Sequence, residues 1–279
     1  MLNRGGWAIK MNRTEGVYGL LWEKNKGLPI ERWHFNKMQE VIPEPIVKGS
    51  MGIEVGSGCG YDTYIMAKNN SLVRIVSMDI SDGVYKAKEV SSGLKNVFVI
   101  KGSAMDIPAG NNLFDFAYSY GVLHHTPDPE RCLREIARVV KKSACAYLYL
   151  YEDHSGAPLK HFALKAVGVL RGITTRIPPK ALYALSFLAA PFIFLFFSCP
   201  AMLLGKFKAT LHLSERIPFN FASHPFFAAG DLYDRFGAPI EHRFNKEDIR
   251  KMFAESGFCD VSIAKMKDIS GWIAWGYKR

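Results

Sequence analysis

The chain of 279 residues lacks acidic side chains over a long stretch, from His154 to Ser214. Seven lysine and arginine residues in this stretch supply most of the net charge of +10. A basic block without acids predicts an anionic partner, either a nucleic acid or a lipid surface. An uncharged apolar run, Ala181–Gly205, lies inside the block and argues against nucleic acid, because phosphate-binding faces are polar. The cations are Lys160, Lys165, Arg171, Arg176, Lys180, Lys206 and Lys208.

Cysteine is scarce, and its spacing excludes two common uses. The five cysteines are far apart, and none shows CxxC or Cys/His ligand spacing. Neither a metal site nor a disulfide framework is therefore predicted. The N-terminal residues contain no apolar run of the kind found in a signal peptide. We expect a reduced, cytoplasmic protein, peripheral on the inner face of a membrane if the basic block binds one.

Short apolar strands alternate with helical patterns from Met51 onward, and a helix and two further strands follow the basic block. This alternation predicts an α/β fold with a doubly wound, mostly parallel sheet. The predicted strands are Met51–Val55, Leu72–Asp79, Asn96–Gly102, Leu113–Gly121, Ala144–Tyr151, Asp260–Lys267 and Gly271–Lys278.

Helix-end signals locate two of the helices. The spacing predicts a helix over Asp128–Ser143, in which Asp128 is the N-cap and Lys141 and Lys142 lie at the C-terminal end. Asn245 and Asp248 form a variant capping box for a helix that Gly257 ends.

The stretch IEVGSGCG follows the first predicted strand and precedes a helix. Its spacing, Gly56-x-Gly58-x-Gly60, differs from the G-x-G-x-x-G of dinucleotide-binding folds. Glycines at this turn let the backbone bend sharply and approach a ligand closely, although many tight turns use glycine without binding anything.

Three acids accompany the glycine loop. Glu54 stands two positions before the first glycine, Asp79 ends the second strand, and Asp106 follows the third. A carboxylate at the end of the second strand can bind both hydroxyls of a ribose. The pattern therefore favours a nucleotide-like ligand at the carboxyl ends of the strands.

In this order, the motifs IEVGSGCG, VSMDIS, GSAMDIP and FDFAYSYGVLHH resemble those of class I S-adenosylmethionine-dependent methyltransferases. The resemblance is to the small-molecule branch that includes quinone and sterol methyltransferases, and it covers Met51–Tyr151 and, in outline, Asn245–Lys278. It implies a seven-stranded sheet that ends in an antiparallel hairpin, and S-adenosyl-L-methionine as cofactor. It also implies that the glycine loop cradles the methionine part of the cofactor.

The remaining roles are likewise implied by the resemblance. The acid that ends the second strand would bind the ribose, and the residues after the third strand would lie at the adenine. Glu54 would act on the cofactor ammonium or order the loop. The cofactor-binding residues expected in this way are Glu54, Gly56, Gly58, Gly60, Asp79, Ile80, Met105, Asp106 and Tyr120.

The resemblance also suggests how the chain is divided. We expect an N-terminal helical lid segment (1–49) and a Rossmann-like cofactor-binding core (50–151). A hydrophobic, basic helical insertion (152–243) would cap the site or associate with a membrane, and a C-terminal helix and hairpin (244–279) would complete the core. A helix over Glu31–Ile42 would either close over the site or simply pack against the core.

His124 and His125 follow the fourth strand, at the edge where open α/β sheets bind ligands. Histidine can accept a proton near neutral pH, so either residue is a candidate catalytic base. Shaping of the loop or contact with the cofactor is the alternative for both.

The apolar run allows three interpretations. A single membrane span conflicts with the topology, because the last two strands must rejoin the sheet. A re-entrant or interfacial hairpin divided at Pro191 would place the flanking cations at lipid phosphates. A soluble helical cap over the site would line a pocket for an apolar substrate. The last two interpretations both favour a hydrophobic or lipid-linked acceptor.

We therefore expect a methyltransferase that modifies O, N or C of a small, hydrophobic acceptor. A polar sugar or another small metabolite is an alternative acceptor. A nucleotide-dependent oxidoreductase and a non-catalytic, membrane-recruited scaffold are the alternatives from other functional classes.

Overall fold

The computed structural model divides into two compact units. One unit comprises Met1–Asp153 with Ile240–Arg279, and the other comprises His154–Pro239. The structure describes residues 4–24, 34–156, 158–214, 217, 224, 228–266 and 270–279.

The first unit is built on a seven-stranded sheet with the order β3-β2-β1-β4-β5-β7-β6. Strands β1 to β5 are parallel, whereas β7 pairs antiparallel with both β5 and β6. The predicted α/β fold and terminal hairpin are thus confirmed. The strands are β1 (Met51–Val55), β2 (Arg74–Asp79), β3 (Val97–Lys101), β4 (Phe114–Tyr120), β5 (Val140–Leu150), β6 (Phe258–Ala264) and β7 (Trp272–Lys278).

Helices lie on both faces of this sheet, over two apolar clusters. The chain leaves β1 toward β2 and β3 and then returns to β4 on the other side of β1. Ligands bind at such a switch point, beyond the carboxyl ends of the strands. The helices of this unit are α1 (Arg4–Lys24), α2 (His34–Val41), α3 (Tyr61–Asn69), α4 (Gly83–Val90), α5 (Pro129–Val139) and α11 (Lys246–Glu255).

The predicted helix over Asp128–Ser143 is wrong at its C-terminal end. Helix α5 ends at Val139, and β5 begins at Val140, so Lys141 belongs to a strand. The Nζ atom of Lys141 lies 2.6 Å from Oδ1 of Asp115 on neighbouring β4. Packing within the sheet therefore overrides the favourable position of a cation at a helix end.

Both predicted N-caps are present. Oδ1 of Asp128 accepts a hydrogen bond of 2.7 Å from the Arg131 amide. Asn245 and Asp248 form a capping box in which each side chain accepts from the other residue's amide, at 2.9 and 3.1 Å. Each cap satisfies amides that have no partner within the first turn of a helix.

Helix α1 docks along the carboxyl-end side of the sheet. Glu15 forms an ion pair of 2.8 Å with Lys101 at the end of β3. Helix α2 begins at His34 within the described residues, whereas the part of its predicted range that contains Arg32 and Trp33 lies outside them. Packing of Phe35 and Met38 buries one face of α2.

The second unit is helical. Proline was expected to divide the apolar run, but one continuous helix of 27 residues extends from Pro179 to Gly205. A π-helical turn, Phe194–Ser198, joins its two α-helical parts. In a regular α-helix the ring of Pro200 would clash with the carbonyl of Phe196, four residues earlier. The wider π-helical turn contains Phe196 and relieves this clash. The helices are α6 (Pro158–Thr174), α7 (Pro179–Ile193), α8 (Cys199–Gly205), α9 (Leu211–Ser214) and α10 (Ala228–Gly237).

Candidate cofactor and acceptor site

The glycine loop between β1 and α3 requires glycine for both conformation and space. Gly56, Gly58 and Gly60 have φ values of 79°, 53° and 78°, in the left-handed region. A Cβ atom at Gly56 would lie 2.1 Å from Cγ2 of Val122, and one at Gly60 would lie 2.8 Å from Cα of Ala87. The loop is therefore pressed against the core while its backbone turns from strand to helix.

Asp79 ends β2 directly beside this loop. Its Oδ2 accepts a hydrogen bond of 2.8 Å from the Gly58 amide, and its Oδ1 accepts from the amide and hydroxyl of Ser81 at 2.7 and 2.6 Å. Burial raises the pKa of Asp79, and these hydrogen bonds oppose that shift. The carboxylate is thus held in one orientation at the position predicted for a ribose-binding acid.

Glu54 and Asp62 are two further buried carboxyl groups next to the loop. The Thr63 hydroxyl donates to Glu54, while Asp62 accepts from the Phe35 amide at 3.1 Å and the Tyr118 hydroxyl at 3.0 Å. Burial raises the pKa of both acids, and the charge on Asp62 raises that of Glu54 further. A bound cation would favour the ionised forms of these two neighbouring acids, so the pair favours binding of a cation.

The residues of this region fit S-adenosylmethionine, which carries a sulfonium and an ammonium. In the described part of the chain no lysine or arginine forms an ion pair with Glu54, Asp62 or Asp79. The hydroxyl of Ser57, inside the loop, is buried and has no partner among the same residues. The site thus offers negative charge and an unused hydrogen-bonding group to a ligand of opposite charge.

The predicted adenine residues lie after the neighbouring strand. Met105 is half-buried and packs against the core, whereas Asp106 is exposed. The Asp106 amide donates to the Ser103 carbonyl at 3.1 Å, which forms a tight turn beyond β3. Ile80, half-buried, follows Asp79 at the end of the adjacent strand. The strand order therefore places all of these residues at one edge of the sheet.

Tyr120, at the end of β4, is the centre of an aromatic stack. Its ring lies 3.9 Å from that of His34 and 4.2 Å from that of Tyr149, with both pairs nearly parallel. Burial lowers the pKa of His34, so its ring is neutral at physiological pH. Tyr120 thus connects α2 to β5 and forms part of an aromatic wall at the carboxyl edge.

His124 and His125 lie in a 3₁₀ turn immediately after β4, and both are buried. The Nδ1 atom of His125 lies 2.8 Å from the Ile240 carbonyl. Because a carbonyl can only accept, Nδ1 carries the proton and Nε2 has the free lone pair. His125 is therefore in the tautomer that can accept a proton at Nε2.

His124 differs from its neighbour because neither ring nitrogen has a hydrogen-bond partner among the described residues. Its ring stacks on Tyr151 at 3.8 Å and lies 4.4 Å from that of His125. Burial, followed by the charges of His125 and Arg243, holds the pKa of His124 well below its usual range. His124 is thus neutral and retains unused hydrogen-bonding capacity.

Helix α1 covers this edge of the sheet at two points. Tyr18 approaches His125 with a ring-centroid distance of 5.4 Å. Trp22 lies against the glycine loop, because a Cβ at Gly58 would be 2.6 Å from its indole ring. Helix α1 thus contacts both the glycine loop and the histidine turn at this edge.

Sequence reasoning missed several residues of this site. Asp62, Tyr149 and Tyr151 were not among the expected residues, and neither were Tyr18 and Trp22. Alternation in the β5 sequence AYLYLY could have located the tyrosines, because residues two apart share one face of a strand. The contacts of α1 link residues distant in sequence, and no local pattern reveals them.

A family model described as "Methyltransferase domain" matches residues 53–148. This match covers β1 to β5, together with the glycine loop, Asp79 and both histidines. It ends before the second unit begins.

Curated relatives divide into partial and longer matches. A rice chloroplast 2-methyl-6-phytyl-1,4-hydroquinone methyltransferase is 31% identical over 34% of this chain and 29% of its own length. A yeast tRNA (carboxymethyluridine(34)-5-O)-methyltransferase is 35% identical over 34% of this chain and 32% of its own length. The Staphylococcus aureus demethylmenaquinone methyltransferase is 24% identical over 83% of this chain and 77% of its own length. The chain thus spans about a third of the length of the first of these relatives.

Solved structures resemble the whole chain in fold. A putative methyltransferase in complex with the Trm112 activator from Haloferax volcanii covers 95% of this chain and 96% of its own, with a TM-score of 0.56 and 14% identity. A putative O-methyltransferase from Nostoc punctiforme covers 98% of this chain and 68% of its own, with a TM-score of 0.54 and 14% identity. At this identity the likeness shows the fold alone.

Proposed function

We propose that the chain is an S-adenosylmethionine-dependent methyltransferase that methylates a small, hydrophobic or lipid-linked acceptor, in keeping with the methyltransferase-domain model that matches residues 53–148. One observation carries the proposal. The glycine loop is surrounded by three buried carboxyl groups, Glu54, Asp62 and Asp79, that form no ion pair with a lysine or arginine in the described part of the chain. Such a site suits a compact cation that carries hydroxyl groups.

The chain's own residues would share the work of binding. Gly56, Gly58 and Gly60 would provide close backbone approach, and Glu54 would become negatively charged when the cationic cofactor binds. Asp79 is aligned for ribose hydroxyls, while Met105 and Asp106 would flank the adenine. When bound, the cofactor supplies an activated methyl group, so the protein mainly positions the acceptor and excludes water.

An acceptor hydroxyl or amine must lose a proton as it gains the methyl group. We assign Nε2 of His125 as the acceptor of this proton, because Nδ1 of the same ring is hydrogen-bonded to the Ile240 carbonyl at 2.8 Å. His124 would donate or accept a hydrogen bond to orient the same acceptor, since its ring nitrogens are unused among the described residues. An acceptor carbon that carries hydrogen must likewise lose a proton once the methyl group has added, whereas a thiolate would need only the orienting function.

A hydrophobic acceptor is supported by the aromatic character of this edge. The stacked rings of Tyr120 and Tyr149, with Tyr151 edge-on to Tyr149, would pack on a flat, apolar substrate better than on a sugar. Some relatives carry quinone acceptors in their names, whereas others are named for tRNA. A polar sugar or other small metabolite is therefore the second candidate acceptor.

The proposal also places the enzyme in the cytoplasm, peripherally on the inner face of a membrane. All five cysteines are free, as expected in a reducing compartment. A lipid-linked acceptor would be reached from that surface.

The decisive experiment incubates the protein with radiolabelled S-adenosylmethionine and a membrane lipid extract, followed by mass identification of the labelled product. We expect label in the organic phase and release of S-adenosylhomocysteine. Label confined to polar metabolites would favour the sugar alternative. An absence of S-adenosylmethionine binding by calorimetry, together with a thermal shift caused by NADH, would instead indicate an oxidoreductase.

A further inference from the structure

The long helix α7–α8 of the second unit has its small residues inside and its large apolar residues outside. It buries Ser186, Ala190 and Ala201, together with Leu182, and Ala190 packs in one apolar cluster with α10. Its outward residues are more than two-fifths exposed. They are Leu185, Phe187, Leu188, Phe192, Leu195, Phe196, Met202 and Leu203.

This arrangement is the reverse of a helix at the surface of a soluble protein, which buries its large apolar residues. Only 17% of the most apolar window of Pro179–Gly205 is buried within the structure. Phe162, Val169 and Ile173 on neighbouring α6 are also exposed, at 70%, 74% and 63%. An apolar surface of this extent marks a site of interaction with an apolar partner.

The pairing of the strands excludes a single crossing of a membrane by this helix. Strand β5 precedes the helix in sequence and β7 follows it, yet the two strands are paired along their length. One crossing would put them on opposite sides of the bilayer. Among the described residues, Pro179–Gly205 is the single helix long and apolar enough to cross, so no second crossing restores the sheet. Any contact of this helix with a membrane is therefore made from one side, within one leaflet.

Cations mark both ends of the apolar surface. Arg176 and Lys180 are exposed before it, and Lys206 and Lys208 are exposed after it. No charge lies between Lys180 and Lys206, and no acid occurs from residue 154 to 214. A helix of 27 residues is about 40 Å long, so cations at its two ends would meet lipid phosphates when it lies in the plane of the membrane.

We propose that α7–α8, with the exposed face of α6, is a monotopic docking surface for an anionic lipid bilayer. The large apolar side chains would enter the acyl region of one leaflet, and the flanking cations would bind headgroup phosphates. A second copy of the chain is a poorer occupant, because it would bring the same cations together without acids to pair them. This inference concerns the second unit and does not depend on methyl transfer.

The test is flotation of the full-length protein with vesicles on a density gradient. One set consists of phosphatidylcholine alone, and the other contains about one third phosphatidylglycerol. We expect flotation with the anionic vesicles, at least tenfold weaker binding to the neutral ones, and partial loss at high salt. Equal binding to both would overturn the anionic part of the proposal.

Two variants separate the apolar and charged contributions. Phe192→Glu/Phe196→Glu should lower binding to anionic vesicles more than 100-fold, because both side chains are about two-thirds exposed and contribute little to folding. Lys206→Gln/Lys208→Gln should lower it about 30-fold and leave binding to neutral vesicles unchanged.

Matched controls lie in the first unit. Leu72→Glu removes an apolar side chain that is 93% exposed, and Lys88→Gln/Lys95→Gln removes two exposed cations. Neither variant should change flotation. Equal loss of binding in these controls would overturn the assignment to α7–α8.

Sedimentation of the protein without lipid tests whether a second copy of the chain covers this surface. If the wild type is a dimer that Phe192→Glu/Phe196→Glu converts to a monomer, and neither floats, a second copy covers this surface and the proposal fails. Calorimetric binding of S-adenosylmethionine by the same samples would then still support the methyltransferase assignment, so the two failures are distinguishable.

Discussion

The Gly58 amide donates a hydrogen bond of 2.8 Å to Oδ2 of Asp79. This bond ties the middle of the glycine loop to the end of β2, so the loop backbone and the Asp79 carboxylate, which we propose binds the ribose, are positioned together. The left-handed φ of 53° at Gly58 directs the amide toward the carboxylate. Both the shape of the glycine loop and the affinity for the cofactor should therefore depend on Asp79.

The Asp79→Asn variant tests this connection. The amide oxygen can still accept from Gly58, but the negative charge is lost, so hydrogen bonds from ribose hydroxyls weaken. We expect the dissociation constant for S-adenosylmethionine, measured by calorimetry, to rise about 10- to 100-fold. Asp260→Asn on the far edge strand is the control, because Asn tolerates its φ of 52° equally well. Equal loss in both variants would contradict a direct role for Asp79.

Cofactor binding should release a proton from Glu54. Burial, followed by the charge on Asp62, raises the pKa of this acid well above its usual value, so the free protein favours its protonated form. A bound cation favours the ionised form and lowers that pKa. Affinity should therefore increase as pH rises through the raised pKa and be lost as pH falls through it.

Calorimetry in two buffers of different ionisation enthalpy measures the proton release. Glu54→Gln should abolish the release and flatten the pH dependence of the affinity. Glu89→Gln, whose side chain is 71% exposed, should behave like the wild type. Undiminished proton release by Glu54→Gln would assign the proton to another group.

Alanine at Gly60 should disrupt both folding and binding. The left-handed φ costs a non-glycine residue about 1–2 kcal/mol, and contact of the new Cβ with Ala87 adds about 1–3 kcal/mol of overpacking. We expect the free energy of unfolding, from urea titration, to fall by about 2–5 kcal/mol. Gly257 has a φ of 90° but open space around it. The loss of unfolding free energy in Gly257→Ala should therefore be limited to the backbone strain. Equal losses would show that crowding at Ala87 is absent.

The sheet was predictable from sequence because buried strands and amphipathic helices alternate locally. The same local reasoning misplaced the boundary at Val139, because pairing with β4 incorporates Val140 and Lys141 into β5. It predicted a helical N-terminal segment but did not locate α1 within it, since the apolar residues of α1 show no helical period and it contains four glycines. Tertiary contacts of Trp22 and Tyr18 stabilise α1 instead.

The glycine loop and Asp79 were predictable because their spacing along the chain is fixed by the strand–turn–helix unit. The stack of His34, Tyr120 and Tyr149 was not, because it joins three distant segments. Nor does sequence show which ring nitrogen of His125 is free, since the Ile240 carbonyl that decides it lies 115 residues away.

Burial of neutral His124 should make the protein sensitive to acid. Its pKa is held well below the usual range, so the unfolded chain binds more protons than the folded one as pH falls below about 6.5. The free energy of unfolding therefore loses nothing to protonation of His124 above that pH, and it decreases as pH falls below it. His124→Phe should therefore reduce the slope of unfolding free energy against pH by up to about 1.4 kcal/mol per pH unit.

The difference in slope between the wild type and His124→Phe isolates the contribution of His124, because His34, His242 and the buried acids are common to both proteins. At about pH 7.5 the variant should be at least as stable, because it removes two buried ring nitrogens that have no partner among the described residues while stacking on Tyr151 is retained. Methyl transfer should nevertheless fall if His124 orients the acceptor. Urea titrations between about pH 5 and 8, with the exposed His212→Phe as control, measure the slope. A variant with unchanged slope and unchanged turnover would show that His124 is neither a titrating core residue nor a ligand of the acceptor.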